Sequence, residues 1–254
     1  MKMLKTIATT LALCAAVSVQ ARTVEAIKKD GKIIIATEGQ FAPFNFFQGT
    51  KLTGFEVEVA EAVVKKMGLK LEWKTLGFDA LLTGLAQDRW DAVIASHGVT
   101  EERAKAVTFA TPHYCSGGII VSVDGKTRTA EDLKGKTVAV QTGTSYLENV
   151  QKLTGVKEVK NFPHDTDAQR ALISKRVDAW VSDKFVAKEA AAKNAKAGFK
   201  LGEMLFVERI APAVAKGNAG LAEAWDKAFN DILADGSYAA ISKKYFNEDV
   251  RCAK

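Results

Sequence analysis

The chain has 254 residues, of which 47% are hydrophobic and 26% are charged, and its mean hydropathy is -0.04. This composition is typical of a globular protein and excludes disordered, collagenous and membrane-embedded chains, while the length admits one large domain or two small ones. The net charge of +6 comes from 36 basic and 30 acidic residues that are interleaved along the chain, so no nucleic-acid-binding stripe is indicated.

The N-terminus has the organisation of a secretory signal peptide. Two lysines precede an apolar stretch over residues 7–19, and Ala21 provides a small residue at the predicted cleavage site. The stretch is shorter than the ~20 residues that a membrane-spanning helix needs. Lipid attachment at Cys14 is an alternative, but a bulky leucine precedes this cysteine. We therefore predict a signal peptide over residues 1–21 and export of the remaining chain.

The next part of the chain alternates strand and helix patterns. Residues 32–37 are a β-branched apolar run, and Phe55, Val59 and Val63 share one face of a predicted helix over residues 54–67. The series continues with a strand over 69–75, a helix over 78–87 and a strand over 91–95. This βαβαβ order predicts a parallel sheet covered by helices.

The alternation restarts after Gly117 and predicts a second α/β unit. Its predicted strands and helices cover residues 118–123, 137–141, 144–153, 156–162, 168–175 and 178–182. Two further helices, over 221–234 and 238–246, follow near the C-terminus. The chain is therefore expected to form two α/β lobes.

A repeated segment supports two related lobes. Residues 85–96 align without gaps on residues 172–183, and each copy leads from a helix end through an arginine into a strand that begins with Asp-Ala. The alignment makes Ser96 and Asp183 equivalent positions at the carboxyl ends of two strands. Ligands of open α/β sheets bind at these ends.

Motifs that would indicate catalysis or a cofactor are missing from the sequence. Gly-Lys-Thr occurs at 125–127 and 135–137, but neither copy has the upstream glycine of a phosphate-binding loop. The three histidines stand apart and no Cys-x-x-Cys occurs, so no zinc site is predicted. Around Ser145 the sequence has the first glycine of a hydrolase nucleophile elbow, Gly143, but Leu147 stands where the second glycine is needed. We therefore expect no catalytic residue, no metal and no cofactor.

Polar residues at predicted strand ends suit a small zwitterion. Arg103 could clamp a carboxylate through its planar fork, and Thr144 and Ser145 begin a helix whose N–H groups would face the same anion. Asp183 could pair with an ammonium group. Each residue also has an ordinary interpretation, as a surface ion pair or as a helix cap. Together they favour a binding site.

Removal of the signal peptide leaves two cysteines, Cys115 and Cys252. An oxidising compartment favours a disulfide between them. Their spacing does not decide between a disulfide and two separate buried thiols, so both alternatives stay open at this point.

In chain order, the motifs resemble those of the bacterial extracellular solute-binding proteins of family 3, the periplasmic receptors of polar amino-acid ABC transporters. The family signature corresponds to residues 54–67, which begin Gly-Phe-Glu-Val-Glu-Val. Further matching segments are residues 42–44, 99–103, 109–117, 141–144, 176–183 and 234–238. The resemblance covers essentially the whole chain after the predicted signal peptide.

The resemblance implies an α/β fold, the type II periplasmic-binding-protein clamshell. Each of its two lobes is a β-sheet flanked by helices, and two crossover strands, here near residues 117–121 and 206–212, join them. Lobe 1 would comprise residues 22–117 plus 212–254, and lobe 2 residues 118–211.

The resemblance also implies a function. We expect a periplasmic monomer that binds an amino acid or a similar small zwitterion or carboxylate with high affinity and delivers it to an ABC-transporter permease by hinge closure. The alternative is an enzyme on the same fold, a periplasmic dehydratase of the cyclohexadienyl or arogenate type, in which Glu38 or Asp183 would act as a general acid.

Individual positions take roles from the resemblance. Arg103, Thr144 and Ser145 match positions that hold the ligand's α-carboxylate, Asp183 matches the position that holds the α-ammonium, and Ser96 matches a further binding position.

The side-chain end of the ligand is assigned in the same way. Phe41 and Phe78 match aromatic residues that sandwich the ligand's side chain. Glu38 matches a polar position that would select a cationic or amide-bearing ligand, although a surface carboxylate at a strand end is the alternative.

Gly98 departs from the family pattern, which usually has threonine or serine there. The lost hydroxyl donor would cost on the order of 1 kcal/mol of carboxylate affinity or leave room for a different head group. The adjacent His97 is expected to be a packed neutral imidazole or a pH-dependent donor.

Overall fold

The computed structural model describes residues 21–252, so the predicted signal peptide lies outside the described residues except for Ala21. The helices of this range are α1 Val24–Asp30, α2 Phe55–Lys66, α3 Phe78–Ala86, α4 Glu101–Ala106, α5 Ser145–Gln151, α6 Asp165–Ile173, α7 Lys184–Lys193, α8 Ala219–Ala234 and α9 Ser237–Phe246. Its strands are β1 Lys32–Thr37, β2 Gln40–Phe41, β3 Asn45–Gln48, β4 Lys51–Thr53, β5 Lys70–Thr75, β6 Ala92–Val93, β7 Val107–Phe109, β8 Tyr114–Ser122, β9 Thr137–Gln141, β10 Glu158–Phe162, β11 Ala179–Asp183, β12 Lys200–Ile210 and β13 Ala213–Ala215.

The strands and helices expected from hydropathy are present with small shifts at their ends, and β1 and β9 have the expected bounds. Hydropathy did not indicate α1, α4, the long strand β12 or the short strands β2, β3, β4, β7 and β13. Strand segments of two to four residues are too short to show a period. None of the helices between residues 21 and 252 is long and apolar enough to cross a membrane.

The first sheet has the strand order β5-β1-β6-β13-β7. β1 pairs in parallel with β5 and β6, whereas β13 runs antiparallel to β6 and β7. Helix α2 buries the predicted apolar face with Phe55, Val59 and Val63 and packs against α8 and α9. The two C-terminal helices therefore belong to the layer that covers the first sheet.

The second sheet has the strand order β10-β9-β11-β8-β12. β9 runs parallel to β10 and β11, whereas the long strand β8 runs antiparallel to both β11 and β12. The chain passes between the two sheets twice, from β7 to β8 and from β12 to β13. The second passage, at residues 211–212, falls within the crossover expected near 206–212, whereas the first, at residues 110–113, precedes the one expected near 117–121 because those residues already belong to β8. The protein is a two-lobe α/β clamshell.

The repeated segment forms the same local structure in both lobes. Asp91 Oδ2 accepts a hydrogen bond from Ile34 N at 2.7 Å, and the equivalent Asp178 Oδ2 accepts one from Thr137 N at 2.8 Å. In each case the carboxylate ties the start of one strand to the start of its neighbour. The Asp-Ala pairs of the sequence therefore fix the register at matching places in the two sheets.

A disulfide joins Cys115, near the start of β8, to Cys252 at the C-terminal end of the described chain, at a sequence separation of 137. The backbone of the same region is paired, because Cys115 N donates to Val250 O at 3.0 Å. The bond anchors the segment that follows α9 to the strand that leaves the first lobe.

Replacing Cys252 with serine should lower the free energy of unfolding by ~4 to 5 kcal/mol, since the bond closes a very long loop in the unfolded chain. The measurement is urea unfolding of the exported protein with and without a reductant. The wild type should be destabilised by the reductant and the variant should not. Two free thiols in the non-reduced wild type would contradict the prediction.

Candidate functional site

A small cavity lies between the two lobes. One wall carries Glu38, Phe41, Phe78, Ser96 and Arg103, and the opposite wall carries Gln141, Thr144, Ser145 and Tyr146. Most of the site residues predicted from the sequence therefore come together around one space. Among the described residues of that predicted set, Gly98 and Asp183 do not line this space.

Arg103 joins the two walls of the cavity. It sits in the first turn of α4, whose N-cap Thr100 accepts a hydrogen bond from Arg103 N at 3.1 Å. Its guanidinium donates to Gly98 O at 2.8 Å on its own side and to Gly143 O at 3.0 Å on the opposite side. Burial lowers the pKa of Arg103, and the nearby Glu208 opposes that shift. One buried cation thus connects the lobes.

The start of α5 supplies the facing hydroxyl groups. Thr144 Oγ1 accepts from Leu147 N at 3.2 Å as the helix N-cap and donates to Gln141 O at 2.7 Å. Ser145 Oγ donates to Glu208 Oε2 at 2.6 Å. The N-cap interpretation of Thr144 is therefore correct, and both hydroxyl groups are engaged within the protein.

Glu38 lies at the other end of the cavity and is only 5% exposed, so the alternative of a surface carboxylate is wrong. Gln141 Nε2 donates to its Oε1 at 2.7 Å, and His164 Nδ1 lies 3.2 Å from the same oxygen. Burial raises the pKa of Glu38, while His164 and Gln141 oppose the shift. Glu38 thus provides a second contact between the lobes.

The aromatic residues lie between these two ends. The rings of Phe78 and His97 stack with their centroids 4.2 Å apart, and Arg103 lies over the Phe78 ring at 5.7 Å. Burial, and to a lesser extent Arg103, lowers the pKa of His97 well below its usual value. Of the two interpretations of His97, the packed neutral imidazole is the one that this geometry supports.

Asp183 is fully buried at the junction of β11 and α7. Its Oδ1 accepts from Phe185 N at 2.7 Å and Val186 N at 3.3 Å, so it caps α7. Its Oδ2 has no aligned hydrogen-bond partner within residues 21–252. Burial raises the pKa of Asp183 to about 7, an effect that the neighbouring Ser116 hydroxyl partly offsets. The capping interpretation is correct, and one acceptor atom is left over.

Glu56 holds Ser96 and was not singled out from the sequence. This fully buried carboxylate accepts hydrogen bonds from Ser96 N at 2.9 Å, Ser96 Oγ at 3.0 Å and Asn45 Nδ2 at 2.9 Å. His113 Nε2, directly before β8, lies 2.9 Å from the same group. The sequence feature that could have identified Glu56 is an acidic residue among the apolar residues that α2 buries. Glu56 thus links the cavity wall to the start of a crossover strand.

Glu208 is the second residue that the sequence did not indicate. It lies on β12 and is 8% exposed. Burial raises its pKa, and Ser145, Tyr146 and Arg103 oppose the shift. A lone glutamate near a predicted crossover strand carries no motif, so only the fold brings it beside the cavity.

Sequence comparison assigns a family to most of the chain. The family description "bacterial extracellular solute-binding proteins, family 3" matches residues 33–248. The chain is 33% identical to a probable amino-acid-binding protein, YxeM, of Bacillus subtilis (strain 168), with 98% of each chain covered. It is 34% identical to the L-cystine-binding protein TcyJ of Escherichia coli (strain K12), over 88% of this chain and 86% of that protein.

Solved structures give the same result for the fold. An ancestral arginine-binding protein bound to arginine matches with a TM-score of 0.82 and 38% identity, over 85% of this chain and 98% of that chain. An ancestral amino acid-binding protein described as a precursor of cyclohexadienyl dehydratase matches with a TM-score of 0.81 and 28% identity, over 87% and 98% of the two chains.

Replacing Glu56 with alanine should reduce the free energy of unfolding by about 3 kcal/mol, because buried donors of Ser96, Asn45 and His113 lose their acceptor. The control is Glu58→Ala on the same helix. Glu58 accepts from Lys244 and Tyr245 near the surface, and its loss should cost less than about 1 kcal/mol. Urea unfolding measures both, and equal losses would contradict the assigned role of Glu56.

Proposed function

Because the chain belongs to the bacterial extracellular solute-binding proteins of family 3, we propose that it binds an amino acid or a similar small zwitterion or carboxylate and delivers it to an ABC-transporter permease. The main support is that the cavity is closed by direct bonds between the lobes at both ends. Arg103 donates to Gly143 O at one end, and Gln141 donates to Glu38 at the other. A ligand held there contacts both lobes at once.

The two ends of the cavity have different roles in this proposal. Arg103, Thr144 and Ser145 receive the head group of the ligand, and Asp183 accepts its ammonium group through the unused Oδ2. The ring of Phe78 and that of Phe41, with Ser96 beside them, enclose the side chain. Glu38 then faces the far end of the ligand, where a cationic or amide group would satisfy its buried carboxylate.

Hinge closure is the proposed step that retains the ligand. The proposed lobes are residues 22–117 plus 212–254 and residues 118–211, and they turn about the passages into β8 and out of β12. The ligand adds contacts only in the closed form and therefore shifts the equilibrium toward it. The closed protein then docks on the permease as a periplasmic monomer.

Binding without catalysis is the function that we propose over the dehydratase alternative. The relatives are described as amino-acid-binding and cystine-binding proteins, although one matched structure is a dehydratase precursor. Incubation of the exported protein with arogenate or prephenate distinguishes the two. Formation of the aromatic product above the uncatalysed rate would favour the enzyme.

The direct test of the proposed function is a thermal-shift screen of the exported protein against the twenty amino acids, cystine and related small acids and amines. At least one compound should raise the melting temperature, since a ligand that binds only the folded state stabilises it. Calorimetry then measures its affinity. The absence of any shift across the screen would contradict the proposed function.

Replacing Arg103 with alanine should weaken binding at least about 100-fold, because the variant loses a buried cation that contacts both lobes. Arg103→Lys should recover only part of the affinity, because a single ammonium group does not reproduce the planar guanidinium that donates to both Gly98 O and Gly143 O. The control is Lys105→Ala, which removes an exposed cation of the same helix. Calorimetry with the best compound of the screen measures all three, and unchanged affinity in Arg103→Ala would contradict the assignment.

Replacing Asp183 with asparagine separates its capping role from its binding role. Asparagine keeps the acceptor for the cap of α7 but removes the charge, so binding of an ammonium-bearing compound should fall at least about tenfold while the fold is retained.

The pH dependence of stability gives a second readout for the same variant. Burial raises the folded-state pKa of Asp183 to about 7, above the ordinary value of 3.8. The folded protein therefore holds this proton more tightly, and stability is lost as the pH rises toward about 7. Between about pH 5 and pH 8 the melting temperature of Asp183→Asn should fall less than that of the wild type. An identical fall would contradict the assigned pKa.

A further inference from the structure

The groups expected to hold a ligand carboxylate are already bonded inside the protein. Thr144 Oγ1 donates to Gln141 O, and Ser145 Oγ donates to Glu208 Oε2. Arg103 directs one N–H group to the carbonyl of each lobe. Both hydroxyl groups and two N–H groups of Arg103 thus have acceptors within the protein, and three further guanidinium N–H groups remain.

Gly98 is the reason that Glu208 reaches this position. A Cβ atom at residue 98 would overlap Oε2 of Glu208, and the same point lies 3.6 Å from Arg103 Nη1. The glutamate carboxylate therefore fills the space next to Arg103 and Ser145 that a serine or threonine side chain would need. The missing hydroxyl at residue 98 and the placement of Glu208 are one structural feature.

Two of the unsatisfied groups near this end of the cavity are carboxylate oxygens. In the described part of the chain, Glu208 Oε1 and Asp183 Oδ2 are buried without an aligned hydrogen-bond partner. Tyr146 lines the cavity. Burial raises its pKa, and the nearby Glu208 and Asp183 raise it further. A ligand that brings N–H donors would satisfy both oxygens.

The sheet register directs these two carboxylates to one side. Glu208 pairs with Ser116 of β8, and Asp183 pairs with Gly118, two residues further along the same strand. Residues paired directly across a sheet share a face, as do residues two apart on one strand. Asp183 and Glu208 therefore project from the same face of the second sheet.

We propose that Glu208 is a specificity-determining residue that supplies a carboxylate of the protein where a ligand carboxylate would otherwise bind. The site then favours a small organic cation whose head group is an amine or an amide rather than a free carboxylate. This inference depends on the proposed function, because it narrows the class of amino-acid-like ligands that the same cavity binds.

Charge balance supports the same ligand class. Glu38 and Arg103 line the cavity, Glu208 accepts a hydrogen bond from the lining residue Ser145, and Asp183 shares a sheet face with Glu208. A free α-carboxylate on the ligand would place a further carboxylate next to Glu208, and like charges placed together at an interface repel each other. An amide or an amine at that position removes the repulsion and offers donors.

The experiment compares three probes that share one side chain, namely L-arginine, L-argininamide and agmatine, which is arginine without its carboxyl group. Calorimetry with the exported wild-type protein should give at least about tenfold tighter binding of L-argininamide or agmatine than of L-arginine, a difference of about 1.4 kcal/mol. The opposite order would overturn the proposal.

Two variants test whether Glu208 causes this preference. Glu208→Gln keeps the shape but removes the charge, and Gly98→Ser forces the glutamate to move. Both should weaken agmatine binding and strengthen L-arginine binding, so that the preference falls at least about tenfold. Glu203→Gln, at an exposed position of the same strand, should leave the preference unchanged.

The outcomes separate this proposal from the proposed function. Tight binding of L-arginine with a preference that neither variant alters would overturn the role of Glu208 and leave the function intact. The same conclusion holds if only neutral or acidic amino acids stabilise the protein in the thermal-shift screen. If no compound of the screen and none of the three probes binds, both the function and the inference fail.

Discussion

The cleft buries more acidic than basic side chains, and this imbalance governs the site. Glu38, Asp183 and Glu208 are each at most 8% exposed, and burial raises the pKa of all three carboxyl groups. Burying a charge costs free energy unless hydrogen bonds or opposite charges compensate. Arg103 compensates part of this cost from one wall. In the function proposed above, a ligand that carries positive charge would compensate the remainder, so that affinity and the closed arrangement would have a common origin.

Recognition and closure use the same atoms. Arg103 and Glu38 each bond to the opposite lobe, so the residues proposed to contact the ligand also fix how closely the lobes approach. Glu208 lies on β12 and Asp183 on β11, the two neighbours of the crossover strand β8. Any change in the hinge therefore moves the carboxylates that face the cavity. Selectivity in such a site is a property of the closed form rather than of one lobe.

The sequence predicts the parts of this site that local rules govern. Parallel strands place polar residues at their carboxyl ends, and for this reason Ser96 and Asp183 could be identified before the fold was known. Glu208 could not be identified, because its position depends on the pairing of β12 with β8, which contains two irregularities before the residue is reached. Glu56 acts through a hydrogen-bond network that joins three separate segments, and no periodic pattern encodes such a network.

The change at Gly98 shows why a lost side chain is difficult to interpret from sequence alone. Taken by itself, the glycine removes a hydroxyl donor and predicts a modest loss of carboxylate affinity. In the folded protein the vacated volume holds the carboxylate of Glu208, from a strand far away in sequence. A side chain at residue 98 and the present position of Glu208 exclude each other. Exchanging serine or threonine for glycine at residue 98 would therefore remove a hydroxyl donor and let the Glu208 carboxylate, an acceptor, occupy the same point. Such an exchange would alter the charge of the ligand that fits rather than its size.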